Sequence, residues 1–397
     1  MIPVGKALKI VARETHSLSG ERVALAESVG RVLAENIVAD TDLPPFDRSQ
    51  MDGYAVKAKD TENCPVTLKI VGESAAGRGW HKTLRRGEAV RIMTGAPVPV
   101  GADAVQKVEL TSEKNNTVTL TASVKKETNV VRRGAEIKSG KTIFESGDVI
   151  TENMIAVLAS FGYAKVKVGK QPCVAILGTG SEIVDIARKP GRDQIRNSNS
   201  LMLDVLARRF GCKTSIIPMV KDDIVEIKKA IRSASNSADV LVITGGVSVG
   251  KYDHTTTALS ELGAEIFFEK VALKPGKPTV FARLGKTMIF GLPGNPVSAA
   301  VTFYLFVRKA LLHKQAATTT DLEIFNAVVS RPVKGTKERD SYIPARLITD
   351  DKGRLITEAV RWQGSSDFIG FSSAECLIVV PNGSSFDVGD VVKIVRF

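Results

Sequence analysis

Four glycine-rich stretches carry residue types suited to holding an anion. VAILGTGSEIV puts Gly178, Gly180 and Ser181 behind an apolar run, with Glu182 next. DVLVITGGVSVGKYD places Thr244, Gly245, Gly246, Ser248 and Gly250 behind another, with Asp253 close by. LKPGKP sets Lys274 and Lys277 about a tight turn, and GLPGNPVSAA ends a strand at Gly291 and starts a helix near Pro296. Glycines at such places let backbone N–H groups approach an anion closely. Thr244 and Ser248 add hydroxyl donors, and the lysines add charge. One such loop alone could be a turn and nothing more; four in one region point to a ligand site. None is GxxxxGK[ST] or a full GxGxxG, so the common nucleotide-binding loops do not fit.

Glu182, Asp222, Asp223 and Asp253 recur beside these loops. Carboxylates next to a phosphate site suggest Mg²⁺, which takes oxygen ligands and shares phosphate oxygens. Asp222 and Asp223 also stand where the first turn of a helix favours acids. The four cysteines and four histidines are scattered without metal-ligand spacing, which argues against zinc and against a disulfide framework. A further stretch, PPFDRSQMDGYAV (44–56), mixes two prolines, Phe46, Met51 and Tyr54 with a row of polar side chains that ends at Asp52. The prolines stiffen its path.

The elements that must position these residues are legible. CVAILG, CKTSIIP, DVLVIT, AEIFFEKVAL, PTVFARL and TMIFGL read as strands. SNSLMLDVLARRFG, with Ser198 as N-cap, DDIVEIKKAIRSAS, TTALSELG and PVSAAVTFYLFVRKALL read as helices between and after them. This alternation over about 172–313 predicts an α/β unit, a mostly parallel sheet covered on both faces. Ligands of such sheets bind at the carboxyl ends of strands. Residues 45–140 are rich in short Val- and Thr-containing segments and predict a β-rich lobe; the last ~80 residues predict a small barrel or sandwich. The length of 397 residues fits roughly two to four domains.

At 43% hydrophobic and 25% charged, the chain is of globular composition. No apolar run approaches the roughly 20 residues of a membrane span, and the N-terminus lacks a secretion signal's apolar core. A cytoplasmic location without membrane partners is expected. The net charge of +12 attracts anions, but the basic residues form no run and accompany no nucleic-acid motif, so nucleic acid is not an expected partner.

The stretches PPFDRSQMDGYAV, RIMTGAPVPVGADAVQKVE, VRRGAEIKSG, GTGSEIV, RNSNSLML, ITGGVSVGKYD, LKPGKP and GLPGNPVSA, in this order, closely resemble the MoeA family of molybdenum insertases, to which the gephyrin E domain is also similar. The resemblance spans nearly the whole chain. It implies four domains: 1–19 plus 171–315, a doubly wound α/β molybdopterin-binding domain like that of the pathway's adenylyl-transferring enzyme; 20–44 plus 141–170, an elongated linker; 45–140, the β-rich lobe; and 316–397, a C-terminal β-barrel. It implies a homodimer with each cleft between the α/β domain of one subunit and the β-rich lobe of the other. Implied partners are molybdopterin adenylyltransferase and apo-molybdoenzymes or their chaperones.

The implied reaction inserts molybdate into adenylyl-molybdopterin, with Mg²⁺, and releases AMP. By match, Glu182, Asp222 and Asp253 would orient substrate or Mg²⁺; Lys274, Lys277, Ser248 and Ser298 would bind oxyanion; Pro293, Gly294 and Pro296 would line the pocket. Asp52, Thr94 and Glu136 would come from the opposing subunit, with Ser49 near Asp52. Glu136 stands where the family often has an aspartate. Family members carry an arginine and a serine in the C-terminal domain that contribute to an oxyanion site; the matching positions here are Pro344 and Gly370, with Arg346 and Ser372 nearby, so that domain is not expected to bind molybdate in the same way. Tungstate in place of molybdate, a non-catalytic carrier or scaffold, and the adenylyl-transfer step itself are the competing readings.

Overall fold

The computed structural model describes residues 1–246, 254–361 and 363–397. The chain divides into two compact units: 1–35, 146–156 and 164–397 form one, and 36–145 with 157–163 form the other.

The first unit is built on a six-stranded sheet. In spatial order its strands are Lys213–Val220, Cys173–Thr179, Val240–Thr244, Thr287–Leu292, Val280–Leu284 and Glu265–Phe268. The first four run parallel and the last two complete the sheet antiparallel. The strands alternate their burial between two faces, as period-two geometry demands. Val174 and Ile176 face a core shared with the helices Val4–Glu14, Ser198–Arg209 and Pro296–Thr302. Ala175 and Leu177 face a second core under Ile224–Ser235 and His254–Glu261. The crossover after Cys173–Thr179 and the one after Lys213–Val220 therefore lie on opposite faces. A crevice opens where they diverge, at the carboxyl ends of Cys173–Thr179 and Val240–Thr244.

Local chemistry sets the helix starts. The Asp223 side chain accepts hydrogen bonds from the N–H groups of Val225 and Glu226, capping Ile224–Ser235, whose Ile227, Ile231 and Ala234 form its buried stripe. Ser198–Arg209 is capped by Asn197, which accepts from the Ser200 N–H. This corrects the expected cap at Ser198 by one residue: the amide oxygen of Asn197 reaches the free N–H, and Ser198 becomes the first helical residue. The last helix does not run evenly; five π-helical residues, Phe303–Val307, interrupt it before Arg308–Lys314.

The C-terminal segment closes a five-stranded barrel: Asp340–Thr349, Leu355–Ala359, Ile324–Val329, Val391–Arg396 and Cys376–Val380 pair in turn, and the last pairs back to the first. A short strand, Leu273–Lys274, joins it in parallel, with Leu273 opposite Asp340 and Lys274 opposite Ser341.

The second unit holds a β-rich sheet ordered Ala104–Lys107, Gly53–Val56, Glu88–Ile92, Val66–Ser74, Thr117–Leu120, Thr111–Lys114. The last two form a hairpin whose turn residues, Asn115 and Asn116, have φ of 50° and 56°, the left-handed conformation that a two-residue hairpin turn requires. Among the described residues no helix is long and apolar enough to cross a membrane.

Candidate active site

The crevice at the strand ends is a cavity of about 1360 Å³. Thr179, Gly180, Thr244, Gly245, Gly246, Pro293 and Gly294 line its polar side, together with the exposed carboxylates of Glu182 and Asp222. Asn199, which sequence reasoning missed, ties these loops together. Its Nδ2 donates to Thr244 Oγ1 at 3.0 Å and to the Gly294 carbonyl at 2.7 Å. Thr244 Oγ1 in turn donates to the Pro293 carbonyl at 3.3 Å. The RNSNS run held the only signal, polar residues at the start of a helix.

Gly246 has φ +62°, and a Cβ there would lie 2.8 Å from Thr255 Oγ1 and 2.9 Å from Thr179 Oγ1. Both the turn and the close approach exclude a side chain. Gly178 has a different role from that expected. It is buried, and a Cβ on it would meet Ser200 Oγ at 2.9 Å, so it admits the Ser198–Arg209 helix against the strand instead of lining the cavity. Ser181 is exposed and also lies outside the lining. Ser248, Gly250 and Asp253 fall outside the described residues.

Lys274 and Lys277 line a second cavity of about 520 Å³ with Ser298, Arg339, Gly364 and Ser365. It adjoins the first, since Pro278, Pro293 and Asn295 line both. Gly276, at φ +118°, makes the turn between the two lysines, and the Thr279 hydroxyl pins it by donating to the Gly276 carbonyl at 2.7 Å. Among the described residues Lys274, Lys277 and Arg339 enter no ion pair. Three uncompensated cations about a small polar space suit an oxyanion.

The C-terminal region supplies two of these residues, at positions other than those singled out in the sequence. Pro344 lies within a barrel strand opposite Leu377, and the Gly370 N–H is used by Asp367. Arg346 stands opposite Glu358, and Ser372 donates to the Ile369 carbonyl. None lines the basic cavity. Arg339 and Ser365 do. The pairing of Lys274 with Ser341 carries Arg339 there, and the Asn295 side chain holds Ser365 by donating to its Oγ at 2.7 Å.

In the β-rich unit the structure brings Asp52 and Thr94 together. Thr94 donates to Asp52 Oδ1 from its backbone N at 2.6 Å and from Oγ1 at 2.8 Å. These bonds, the backbone one foremost, hold the Asp52 carboxyl below the usual carboxylate range. The antiparallel pairing of Gly53 with Ile92 places the two residues beside each other. Ser49 is buried, and its hydroxyl is committed to the Met51 carbonyl at 2.6 Å. Glu136 pairs with Arg48 at 2.8 Å, within a belt in which Arg132 and the Arg133 N–H bind Asp47 and the Arg133 side chain binds Asp42. The belt ties PPFDRS to VRRGAE.

Among the described residues no three His, Cys, Asp or Glu side chains converge as a metal site. Glu182 and Asp222 are two oxygen donors in the large cavity, a set that fits Mg²⁺ shared with substrate phosphates and does not fit a fully protein-bound ion.

Fold and site thus define a multidomain protein with a doubly wound, ligand-binding α/β region joined to a closed barrel. Residues 2–162 match the model of the MoeA N-terminal region (domain I and II), 175–313 that of a probable molybdopterin binding domain, and 326–397 that of the MoeA C-terminal region (domain IV). A molybdopterin molybdenumtransferase of Staphylococcus aureus is 35% identical over 99% of this chain and 95% of its own, and one from Staphylococcus epidermidis is 32% identical with the same coverage. The solved molybdopterin biosynthesis MoeA protein of Pyrococcus horikoshii superposes with a TM-score of 0.83 at 31% identity, covering 100% of this chain and 99% of that one. The chain belongs to the MoeA family.

Proposed function

We propose that this protein is a molybdopterin molybdenumtransferase: it inserts molybdate into adenylyl-molybdopterin, and AMP leaves. The observation that carries the reading is the pair of adjoining cavities. One is large, glycine-turned and partly apolar; the other is small and lined by Lys274, Lys277 and Arg339. An organic substrate in the first lies next to an oxyanion in the second, so that proximity replaces a bimolecular encounter.

Thr244, Gly245, Gly246, Pro293, Gly294 and Pro296 hold the pterin and its phosphates. Lys274, Lys277, Arg339, Ser298 and Ser365 hold molybdate. No enzyme nucleophile is needed. Glu182 and Asp222, with Asp253, would hold Mg²⁺, which supplies neutralising charge to the diphosphate. Asp52 and Thr94, with Glu136, act on the substrate from the β-rich lobe of a second subunit. The four-domain division, the homodimer, a cytoplasmic location, supply by the adenylyltransferase and delivery to apo-molybdoenzymes belong to the same reading.

The test is AMP release from adenylyl-molybdopterin with Mg²⁺ and equal low concentrations of molybdate or tungstate. Oxyanion-dependent release is expected, with molybdate the more effective. No release with either oxyanion, despite tight pterin binding, would sink the reading in favour of a carrier.

A further inference from the structure

The opposite end of the α/β sheet has a cavity of its own. Val240–Thr244 and Thr287–Leu292 begin there, a strand's length from the carboxyl ends that bear the large cavity. A space of about 590 Å³ opens between the end of the Ile224–Ser235 helix and the two-residue turn that joins Val280–Leu284 to Thr287–Leu292. Gly285 takes φ +59° in that turn, with nothing within 4 Å of where a Cβ would stand, so the turn has free space about it. The Thr287 hydroxyl anchors the turn to the helix end, shared between the carbonyls of Ser235 at 3.0 Å and Ala238 at 2.8 Å.

Donors dominate the lining. Arg232 and Lys286 both lie on it, and among the described residues neither enters an ion pair. Asn236 and Ser237 add an exposed amide and an exposed hydroxyl. Ser235 beside them has a buried hydroxyl with no partner among the described residues. The acceptors, by contrast, are spent. A helix's carboxyl end ordinarily disfavours an anion, but here the Ser233 and Ala234 carbonyls accept the N–H groups of Asn236, Ser237 and Ala238, and that of Ser235 takes the Thr287 hydroxyl. Asp239, the one carboxylate among the described lining residues, accepts from the Cys173 N–H at 2.8 Å and lies within electrostatic reach of Lys314. A surplus of donors about two unpaired cations fits a phosphate group. The space exceeds what a bare oxyanion fills, and Leu262 and Leu284 also line it, which suits a small organic body behind the phosphate.

We propose that this end of the sheet is a second ligand site that takes a small organic phosphate, with the phosphate on Arg232 and Lys286 and the organic part against Leu262 and Leu284. The site is independent of the proposed insertion reaction, since none of its residues lines either substrate cavity.

Amide-resolved NMR titration of the full chain with glycerol 3-phosphate, inorganic phosphate and glycerol tests it, in wild type, Arg232→Gln, Lys286→Gln and Lys274→Ala. In the wild type, glycerol 3-phosphate is expected to shift the Ser237 and Gly285 amides saturably, inorganic phosphate to do so more weakly, and glycerol not at all. Either Gln variant, at an exposed position, should raise the Kd read from those two amides at least about tenfold, and added salt should weaken binding. Lys274→Ala should leave the same shifts intact, and both Gln variants should keep wild-type AMP release. Shifts at Ser237 and Gly285 that persist unchanged in both Gln variants overturn the proposal. So do shifts confined to Thr244–Gly246 or Lys274–Lys277, which would put phosphate binding in the substrate cavities only. Inorganic phosphate bound as tightly as glycerol 3-phosphate overturns the assignment to an organic phosphate.

Discussion

The two adjoining cavities share Pro278, Pro293 and Asn295 but are built by different means. The larger draws mainly on strand ends and helix starts of one α/β sheet, with Ser366 and Phe368 added from the C-terminal segment. The smaller takes polar groups from that segment, Arg339 and Ser365. Among the described residues the larger is lined by one arginine and several apolar side chains, and the smaller by three cations. The difference suits the proposed function, with a large, partly apolar molecule in one space and a small, doubly charged anion in the other.

That assignment breaks most visibly at Lys274. Lys274→Ala is expected to slow oxyanion-dependent AMP release by about 100-fold or more, the scale of losing one charge-stabilising donor, while pterin affinity measured by calorimetry stays the same. A parallel loss of pterin affinity would mean that the two cavities act as one. Arg339→Ala should raise the molybdate concentration for half-maximal rate by about tenfold, one partner of a charge-assisted contact being worth roughly 1.5–3 kcal/mol. An unchanged molybdate dependence would return the barrel to a purely structural role.

The glycine turns and acidic residues of the larger cavity were legible in the sequence; Asn199 there, and Arg339 and Ser365 in the smaller, were not. Thr244, Gly245 and Gly246 follow an apolar run, and local pattern alone places them at a strand's carboxyl end. Arg339 lies in KGTKERD, where nothing local distinguishes it from other surface charge. Only the register of Leu273–Lys274 on the barrel brings it to the lysines, and register between distant segments leaves no trace in local composition. Gly178 misled for the related reason that a glycine admitting a helix and a glycine admitting an anion look alike in a sequence. Ser198 and Asn197 differ as caps by one residue, within the ordinary uncertainty of helix ends.

Two smaller effects sharpen the contrast between residues that face substrate and residues that hold structure. Thr94→Ala removes the hydroxyl bond to Asp52 and leaves the backbone one. It should reduce turnover about fivefold, the weaker end of a single lost hydrogen bond, and raise the Asp52 pKa in an NMR titration. The folded Asp52 value lies below the unfolded one near 4. Its stabilising contribution is therefore complete above about pH 4 and is lost only as pH falls through the lower folded value. An Asp52 pKa that does not move in Thr94→Ala would show that the backbone bond alone sets it. Finally, Asp223→Ala should cost about 1 kcal/mol as a lost N-cap, read as a small drop in Tm, with turnover unchanged. Its neighbour Asp222, which lines the cavity, should show the reverse when changed to Asn.

The parallel pairing of Leu273–Lys274 with the barrel has a consequence for how the molecule comes apart. The Asp340 N–H donates to the Ala272 carbonyl at 3.0 Å, so the backbone on which Lys274 rides is hydrogen-bonded to a strand of the closed barrel. Loosening the barrel releases the lysine with it. Amide hydrogen exchange at Asp340 should then keep pace with exchange in the barrel strands, and protease nicking of the barrel should end oxyanion capture before the α/β sheet itself opens.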